Sequence, residues 1–503
     1  MPSKPKKVES VAFVSLGCAK NLVDSERMLG LLAADGIAIV PDAEDADAVV
    51  INTCGFLEAS KDESMREIND AIALKDAGKL QKVIVAGCLV QRHKTMLLDE
   101  APGIDRLVGV FDRDHIVEAV RGVDNPRQAH GHYLGKYHDL SKELTEKAII
   151  EGRLSSVEAG ISSTNDNPQS TNVKRNRLPV FEDDRARLRL TPRHYAYLRM
   201  SEGCNQGCSF CTIPSIRGPM RSKPMEQIIA EAKELASDGA VELNLIGQDT
   251  TSYGTDINYA AGLSGLLRTL NKDLPKDVQW LRLMYAYPSC FTDDMIKAIA
   301  DSDRVVKYID MPLQHISDRM LALMKRRVTG KEIRTLLDKL RKWVPGMAIR
   351  TTFIAGSPTE TEKDHEELVQ FIKDYEFEHL GVFPFSPEPG TPMGRIAEQH
   401  EQATKDRWIE NLMLTQQEIV FARNEKRVGE LMPVMIESKQ KDGTYVARHQ
   451  GQAPDIDSVV FVSSRQKLAA GEIVSVKVTD YQAYDLIAQV PTKKGQSLKV
   501  VKA

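Results

Sequence analysis

Cysteine is scarce in this chain, seven among 503 residues, and the number is odd. That excludes a disulfide framework as the organising device and points to a reducing compartment. Long apolar runs are missing too. The longest, Val83 to Val90, falls far short of the ~20 residues that span a bilayer, so no membrane helix is expected. The basic start around Lys4, Lys6 and Lys7 leads into no apolar stretch of signal-peptide length, and the expected location is cytoplasmic. Charge of one sign is lacking as well. The 67 Lys and Arg against 71 Asp and Glu leave a net charge of -4, which exerts no overall pull on nucleic acid, so any polyanion-binding face has to be local.

What is present is ample length, enough for about three or four domains. From Val11 to about Val120, short apolar runs (Val11 to Leu16, Ala48 to Asn52, Lys82 to Ala86, Arg106 to Val110) alternate with helical stretches such as Leu57 to Lys75. This is the pattern of a parallel α/β sheet covered on both faces. From about 128 to 190 the periodicity fails, and Ser155 to Asn176 is rich in Ser, Thr, Asn and Gly. A partly disordered linker or insertion is expected there. A second alternating region offers six candidate strands between Ala196 and Phe385, which implies a partial (βα)6 barrel with ligands at the carboxyl ends of its strands. Ile396 to Arg427 reads as a long helix, and the short β-like runs beyond it as a small antiparallel barrel. The expected division is 8–127, 128–190, 191–427 and 428–503.

Six of the seven cysteines form two sets of three. Cys204, Cys208 and Cys211 lie within eight residues directly after the first barrel strand. Spacings of three and two let one loop hold three corners of a four-iron cubane, leaving the fourth iron open to a reactant. Structural zinc would want a fourth ligand, and none is near in sequence. Cys18, Cys54 and Cys88 look scattered, yet each stands just past a predicted parallel strand and beside a glycine (Gly17, Gly55, Gly87). Strand ends of such a sheet share one crevice, so these thiols are expected to converge on a second three-thiolate cluster. The alternative for any one of them is an ordinary buried thiol. Cys290 has no such partners and reads as a core or surface thiol.

The phrase Cys204-Asn205-Gln206-Gly207-Cys208-Ser209-Phe210-Cys211 after a first barrel strand resembles the radical S-adenosylmethionine superfamily. Together with Ser15-Leu16-Gly17-Cys18-Ala19-Lys20-Asn21, Asn52-Thr53-Cys54-Gly55-Phe56, Tyr285-Ala286-Tyr287-Pro288 and Ala453-Pro454-Asp455-Ile456-Asp457, it is similar to the methylthiotransferases, closest to their ribosomal-protein branch. The resemblance spans nearly the whole chain except the insertion. It implies an amino-terminal cluster domain, a radical barrel and a TRAM β-barrel. It also implies two 4Fe-4S clusters, held by Cys18, Cys54 and Cys88 and by Cys204, Cys208 and Cys211, with S-adenosyl-L-methionine on the open iron of the second. Phe210 would lie against the adenine, Gln248 and Asp249 near the methionine end, and Arg350 would point toward cofactor or substrate. The implied reaction is radical methylthiolation of the β-carbon of an aspartate in small-subunit ribosomal protein number twelve, with flavodoxin or ferredoxin as electron donor. The family usually reads Gly-Phe-Pro-Gly-Glu-Thr-Glu where this chain has Gly356-Ser357-Pro358-Thr359-Glu360-Thr361-Glu362, so the S-adenosylmethionine pocket is expected to differ locally.

Between Val428 and Val490 six Lys and Arg stand against eight Asp and Glu, net -2, the wrong sign for gripping phosphates. An acidic face suits a basic ribosomal protein, with Asp455 and Asp457 as its candidate contacts. RNA contact is therefore not favoured. Two rival readings remain at this point: a methylthiotransferase acting on a transfer-RNA adenosine, and a non-catalytic iron-sulfur sensor or RNA-binding scaffold.

Overall fold

The apolar runs at the amino end become strands buried on both faces. The computed structural model describes residues 7–122, 128–129, 132–136 and 181–491. Its first sheet holds β1 (Ser10–Ser15), β2 (Ala38–Val40), β3 (Ala48–Thr53), β4 (Lys82–Gly87), β5 (Arg106–Val108), β6 (Gln128–Ala129) and β7 (His132–Tyr133), in the order β2-β1-β3-β4-β5-β7-β6. Only the β6–β7 pair is antiparallel. Val49, Ile51, Val83 and Val85 pack on one side with helix Glu58–Asp76. Val50 and Ile84 pack on the other with helix Ala19–Ala34. Both faces of a parallel sheet are thus filled, which is why its central strands read as unbroken apolar runs.

The second sheet is an open barrel of six parallel strands, β8 (Tyr195–Arg199), β11 (Glu242–Ile246), β12 (Trp280–Leu283), β13 (Val305–Asp310), β14 (Ala348–Ala355) and β15 (His379–Pro384), neighbours in that order. A short hairpin of β9 (Ser201–Glu202) and β10 (Arg221–Ser222) brackets the cysteine loop. Helix Gln402–Arg427 then leads to a closed barrel of β16 (Leu431–Lys439), β17 (Tyr445–Arg448), β18 (Val460–Ser463), β19 (Ile473–Gln482) and β20 (Asp485–Gln489). Its pairings are antiparallel except β18 with β20, the parallel pair that closes it. No described helix is long and apolar enough to cross a membrane.

Two expectations need correction here. Residues 137–180 of the expected insertion lie outside the described residues, but its two ends are built into the fold. β6 and β7 extend the first sheet, with Tyr133 fully buried. Residues 181–190 run as a strap between the first sheet and the barrel, where Phe181, Glu182 and Asp184 are buried. Their burial rests on charge pairing, which apolar periodicity does not register.

The second correction concerns Asp455 and Asp457, which are turned toward the barrel residues and not presented as a free acidic face, although Asp455 itself keeps solvent exposure. Asp457 is 1% exposed at its side chain and accepts from the Tyr308 hydroxyl at 2.8 Å and the Ala453 amide at 2.8 Å, with Arg350 at 3.4 Å and His379 at 3.5 Å. Asp455, at φ +66°, accepts from the Tyr195 hydroxyl at 2.9 Å. Glu437 and Glu242 share Arg448. The loop between β17 and β18 therefore packs against the amino-terminal end of the six-stranded barrel, and Asp457, Glu437 and Glu242 are engaged at that junction. Removing one partner from such a buried set leaves uncompensated charge. Asp457→Ala is expected to cost about 3 kcal/mol, read as a fall in the chemical-denaturation midpoint, with Asp457→Asn losing less because it keeps acceptor capacity.

Candidate active site

The β1, β3 and β4 strands lie side by side, and the chain leaves their carboxyl ends at Cys18, Cys54 and Cys88. Adjacent strand tips thus bring together thiols far apart in sequence. Gly17 is needed at its place: φ is +91°, and a Cβ there would sit 2.8 Å from the Cβ of Cys54. Gly203 does the same for the second set, with φ +80° and a would-be Cβ 2.2 Å from the Pro219 carbonyl oxygen. The loop it opens carries Cys204, Cys208 and Cys211 past the end of the barrel.

The carboxyl ends of the two sheets face one another across a cavity of about 530 Å³, and all six cysteines line it. Among the described residues no three Cys, His, Asp or Glu side chains are grouped to hold one metal ion. Tetrahedral zinc, with bonds of ~2.3 Å, draws its thiolates to within ~4 Å of each other; a cubane spreads its cysteines over separate irons. Two sets of three thiols, with glycines where bulk would intrude, fit a polynuclear cluster on each side with one iron of each left to a reactant. Burial pushes the Cys88 and Cys211 thiols up to about 12 and Cys204 up to about 11. Cys18 reaches solvent, and although surrounding protein desolvates it, Lys20 and Arg217 bring its thiol below the ordinary value. The metal-free cage thus holds mostly protonated sulfur, and loading it with iron releases those protons.

Of the remaining predicted residues, Phe210 and Gln248 line the cavity. Gln248 donates to Glu202, and Phe210 rests against Met324, Phe385 and Met393. Asp249 and Arg350 are not among the lining residues. Asp249 is buried and accepts from the Gln206 side chain at 2.6 Å and from Thr251 and Ser252, so it braces the cysteine loop from behind. Arg350 does point into the barrel but is held lower down by Asp310 at 2.8 Å and Asp457. Cys290 stays outside the cavity, against Gln206 and Ser252. The stretch 356–362 is also away from the lining. Thr359 there adopts φ +63°, in the left-handed region that favours glycine, and Arg319 donates to its carbonyl.

The sequence reading missed the cations and tyrosines of the site: Lys20, Arg217, Arg326, Tyr285 and Tyr287 all line the cavity. Arg217, six residues past Cys211, reaches across to place Nη2 3.1 Å from the Cys88 sulfur. It belongs to a buried network in which Arg113, Arg199, Arg217, Arg221 and Lys223 meet Asp24, Glu182, Asp184, Glu202 and Glu231. Its members come from the first sheet's domain, the strap and the barrel. No motif spacing announces it; position after the cysteine loop is the one available signal for Arg217.

Comparison with known proteins adds the following. Residues 10–109 match the uncharacterized protein family UPF0004, residues 198–372 the radical SAM superfamily and residues 428–490 the TRAM domain. A protein of Acetivibrio thermocellus named ribosomal protein uS12 methylthiotransferase RimO is 40% identical over 483 residues, 96% of this chain and 98% of that one. Proteins of the same name from Desulforamulus reducens and Clostridioides difficile are each 38% identical, covering 96% and 95% of this chain and 99% and 98% of their own. Among solved structures, the radical S-adenosylmethionine methyltransferase TsrM of Kitasatospora setae, with tryptophan and a S-adenosylmethionine analogue bound, aligns with a TM-score of 0.51 at 16% identity over 77% of this chain and 75% of that one. That likeness concerns the fold.

Two expectations follow. Anaerobically reconstituted protein should hold about eight irons, and Cys→Ala replacement of either triplet should leave about four, measured as iron and acid-labile sulfide. One triplet variant losing everything would show a single shared site instead. Burial alone would raise the Glu182 and Asp184 carboxyls, but Arg221 and Arg113 beside the first, and Arg199 and Lys223 beside the second, hold both below their ordinary values of 4.5 and 3.8. A depressed folded-state value means stability is fully present above the ordinary value and is lost progressively as pH falls from there toward the folded-state value. The unfolding midpoint should therefore drop as pH is lowered from about 5 to 3, and drop less in Asp184→Asn.

Proposed function

Because the chain belongs to the ribosomal protein uS12 methylthiotransferase family, RimO, we propose that it adds a methylthio group to the β-carbon of an aspartate side chain in that ribosomal protein. It is a radical S-adenosylmethionine enzyme with two 4Fe-4S clusters as cofactors. The observation that carries the reading is the arrangement of six cysteines, three from each sheet, around a single cavity. When bound, the clusters and S-adenosylmethionine supply the electron, the hydrogen-abstracting radical and the methylthio donor.

This chain's own residues then have defined tasks. Cys204, Cys208 and Cys211 hold the cluster that binds S-adenosylmethionine, and Cys18, Cys54 and Cys88 hold the one that handles sulfur. Phe210 and Tyr287 give the cavity apolar walls beside the first triplet, and Gln206, Gln248 and Gln314 offer amide groups to a polar ligand. The lining residues include no histidine or carboxylate, so the cavity offers no ordinary general base. Abstraction of hydrogen from carbon by a radical asks for none. Residues 8–127 and 191–427 each carry one cluster in this reading, and 428–503 stabilises the barrel from below. The electron comes from a reduced carrier such as flavodoxin or ferredoxin, and the substrate is met in the cytoplasm, alone or within the ribosome.

The test offers the reconstituted enzyme, with dithionite and methyl-labelled S-adenosylmethionine, uS12 and transfer RNA together. Label is expected in uS12, on an aspartate located by tandem mass spectrometry. Label in RNA alone transfers the assignment to the nucleic-acid branch, and absence of any 5'-deoxyadenosine removes the enzyme reading altogether.

A further inference from the structure

Three cationic side chains line the cavity, Lys20, Arg217 and Arg326. Two of them are engaged. Arg217 pairs with Asp24 and Glu202 and touches Cys88. Arg326 donates to the Pro312 carbonyl and lies 4.1 Å over the Tyr287 ring, next to Cys208. Lys20 is different. It is 7% exposed, and its ammonium sits 3.2 Å above the centroid of the Tyr285 ring. Among the described residues no carboxylate stands within ion-pair distance of Lys20, and none within that distance of Arg326, but Arg326 has the Pro312 carbonyl while the groups acting on the Lys20 ammonium are the Tyr285 side chain and the Cys18 thiol; the buried cations of the neighbouring network each have a carboxylate.

A buried ammonium is costly unless a negative partner meets it. An aromatic face compensates only part of that cost. The platform beneath it is fixed: Tyr285 is held at φ +59°, its N–H donating to Asp310 at 3.2 Å and its carbonyl accepting from the Thr250 amide at 3.1 Å. Lys20 also follows Cys18 by two residues while Tyr285 comes from the barrel, so the ammonium stands where the two cysteine sets face each other. A preset positive charge at that place is built for an anion that arrives with the reactants.

We infer that Lys20 binds the side-chain carboxylate of the substrate aspartate, selecting it over its amide and setting its β-carbon toward the cavity; the inference rests on the aspartate methylthiolation proposed above. The chemistry of the substrate fits. The carboxylate carbon is bonded directly to the β-carbon, so fixing the two oxygens places the β hydrogens one bond away, which is the positioning that hydrogen abstraction demands. A site that bonds a substrate group also rejects the analogue lacking it, because its own buried partner is then left unpaired.

Equilibrium binding to the anaerobic, cluster-loaded enzyme provides the test, with two probes: uS12, and uS12 carrying asparagine at the modified aspartate. Wild type is expected to bind the aspartate form about tenfold or more tightly than the asparagine form. Lys20→Met should abolish that ratio when compared at matched iron content, which is measured on each sample because Lys20 also acts on the Cys18 thiol, and Lys20→Arg should retain it. A lysine that served only to neutralise the cage or to latch onto Tyr285 would leave the ratio where it was. Equal affinity of the wild type for the two probes overturns the inference whatever the variants do, and so does a Lys20→Met enzyme that still prefers aspartate. Methylthio transfer to RNA with none to uS12 sinks the functional reading instead, so the two failures are distinguishable.

Discussion

Among the described residues, Arg113, Arg187, Arg199, Arg217, Arg221 and Lys223 are packed with Asp24, Glu26, Glu182, Asp184, Glu202 and Glu231 where the first sheet meets the barrel, and in a low-dielectric setting each charge must find its opposite. Replacing such a network by apolar side chains is often neutral or stabilising, so its contribution here is to orientation: any other docking of the two sheets strands a charge. Arg199 and Arg217 from the barrel close on Asp24 from the first domain, and the strap supplies Glu182 and Asp184 to complete the pairing. That lock turns the carboxyl ends of the two sheets toward each other. The common cavity, and the placing of both cysteine sets around it, depend on this orientation.

The network also reaches into the site. Arg217 carries a positive charge from the radical half to the sulfur of Cys88 in the other half, so the electrostatic setting of the auxiliary cage is shared between domains. An N-terminal domain separated from the barrel would keep its three thiols but lose the guanidinium that meets the Cys88 sulfur. The two metal cages are therefore parts of one structure, held in register by residues that are not themselves ligands.

How much of this was legible beforehand depended on the kind of signal. Strands buried on both faces announce themselves as apolar runs, and Val49 to Asn52 and Val83 to Ala86 fell where the sheet has β3 and β4. The convergence of Cys18, Cys54 and Cys88 could be inferred because strand ends in a parallel sheet have a known common edge. The strap falls in the 128–190 stretch expected to be linker because apolar periodicity fails there, and only three-dimensional pairing makes Phe181, Glu182 and Asp184 interior. Asp455 and Asp457 are candidates for a partner face on the net charge of their module, and charge counting does not show that tyrosine hydroxyls of the barrel, and Arg350 for Asp457, already meet them. Asp249 and Arg350 were assigned by position after or on a strand, and position does not say which end of a side chain's reach is already occupied.

The loop packed against the amino end of the radical barrel has a bearing on access. With Ala453 and Asp457 wedged beneath Tyr195 and Tyr308, small molecules have no back exit along the barrel axis. Nucleoside fragment, amino acid fragment, sulfur source and a protein many times their size all use the opposite rim as doorway. A protein substrate seated on that rim covers the route that the small reactants share.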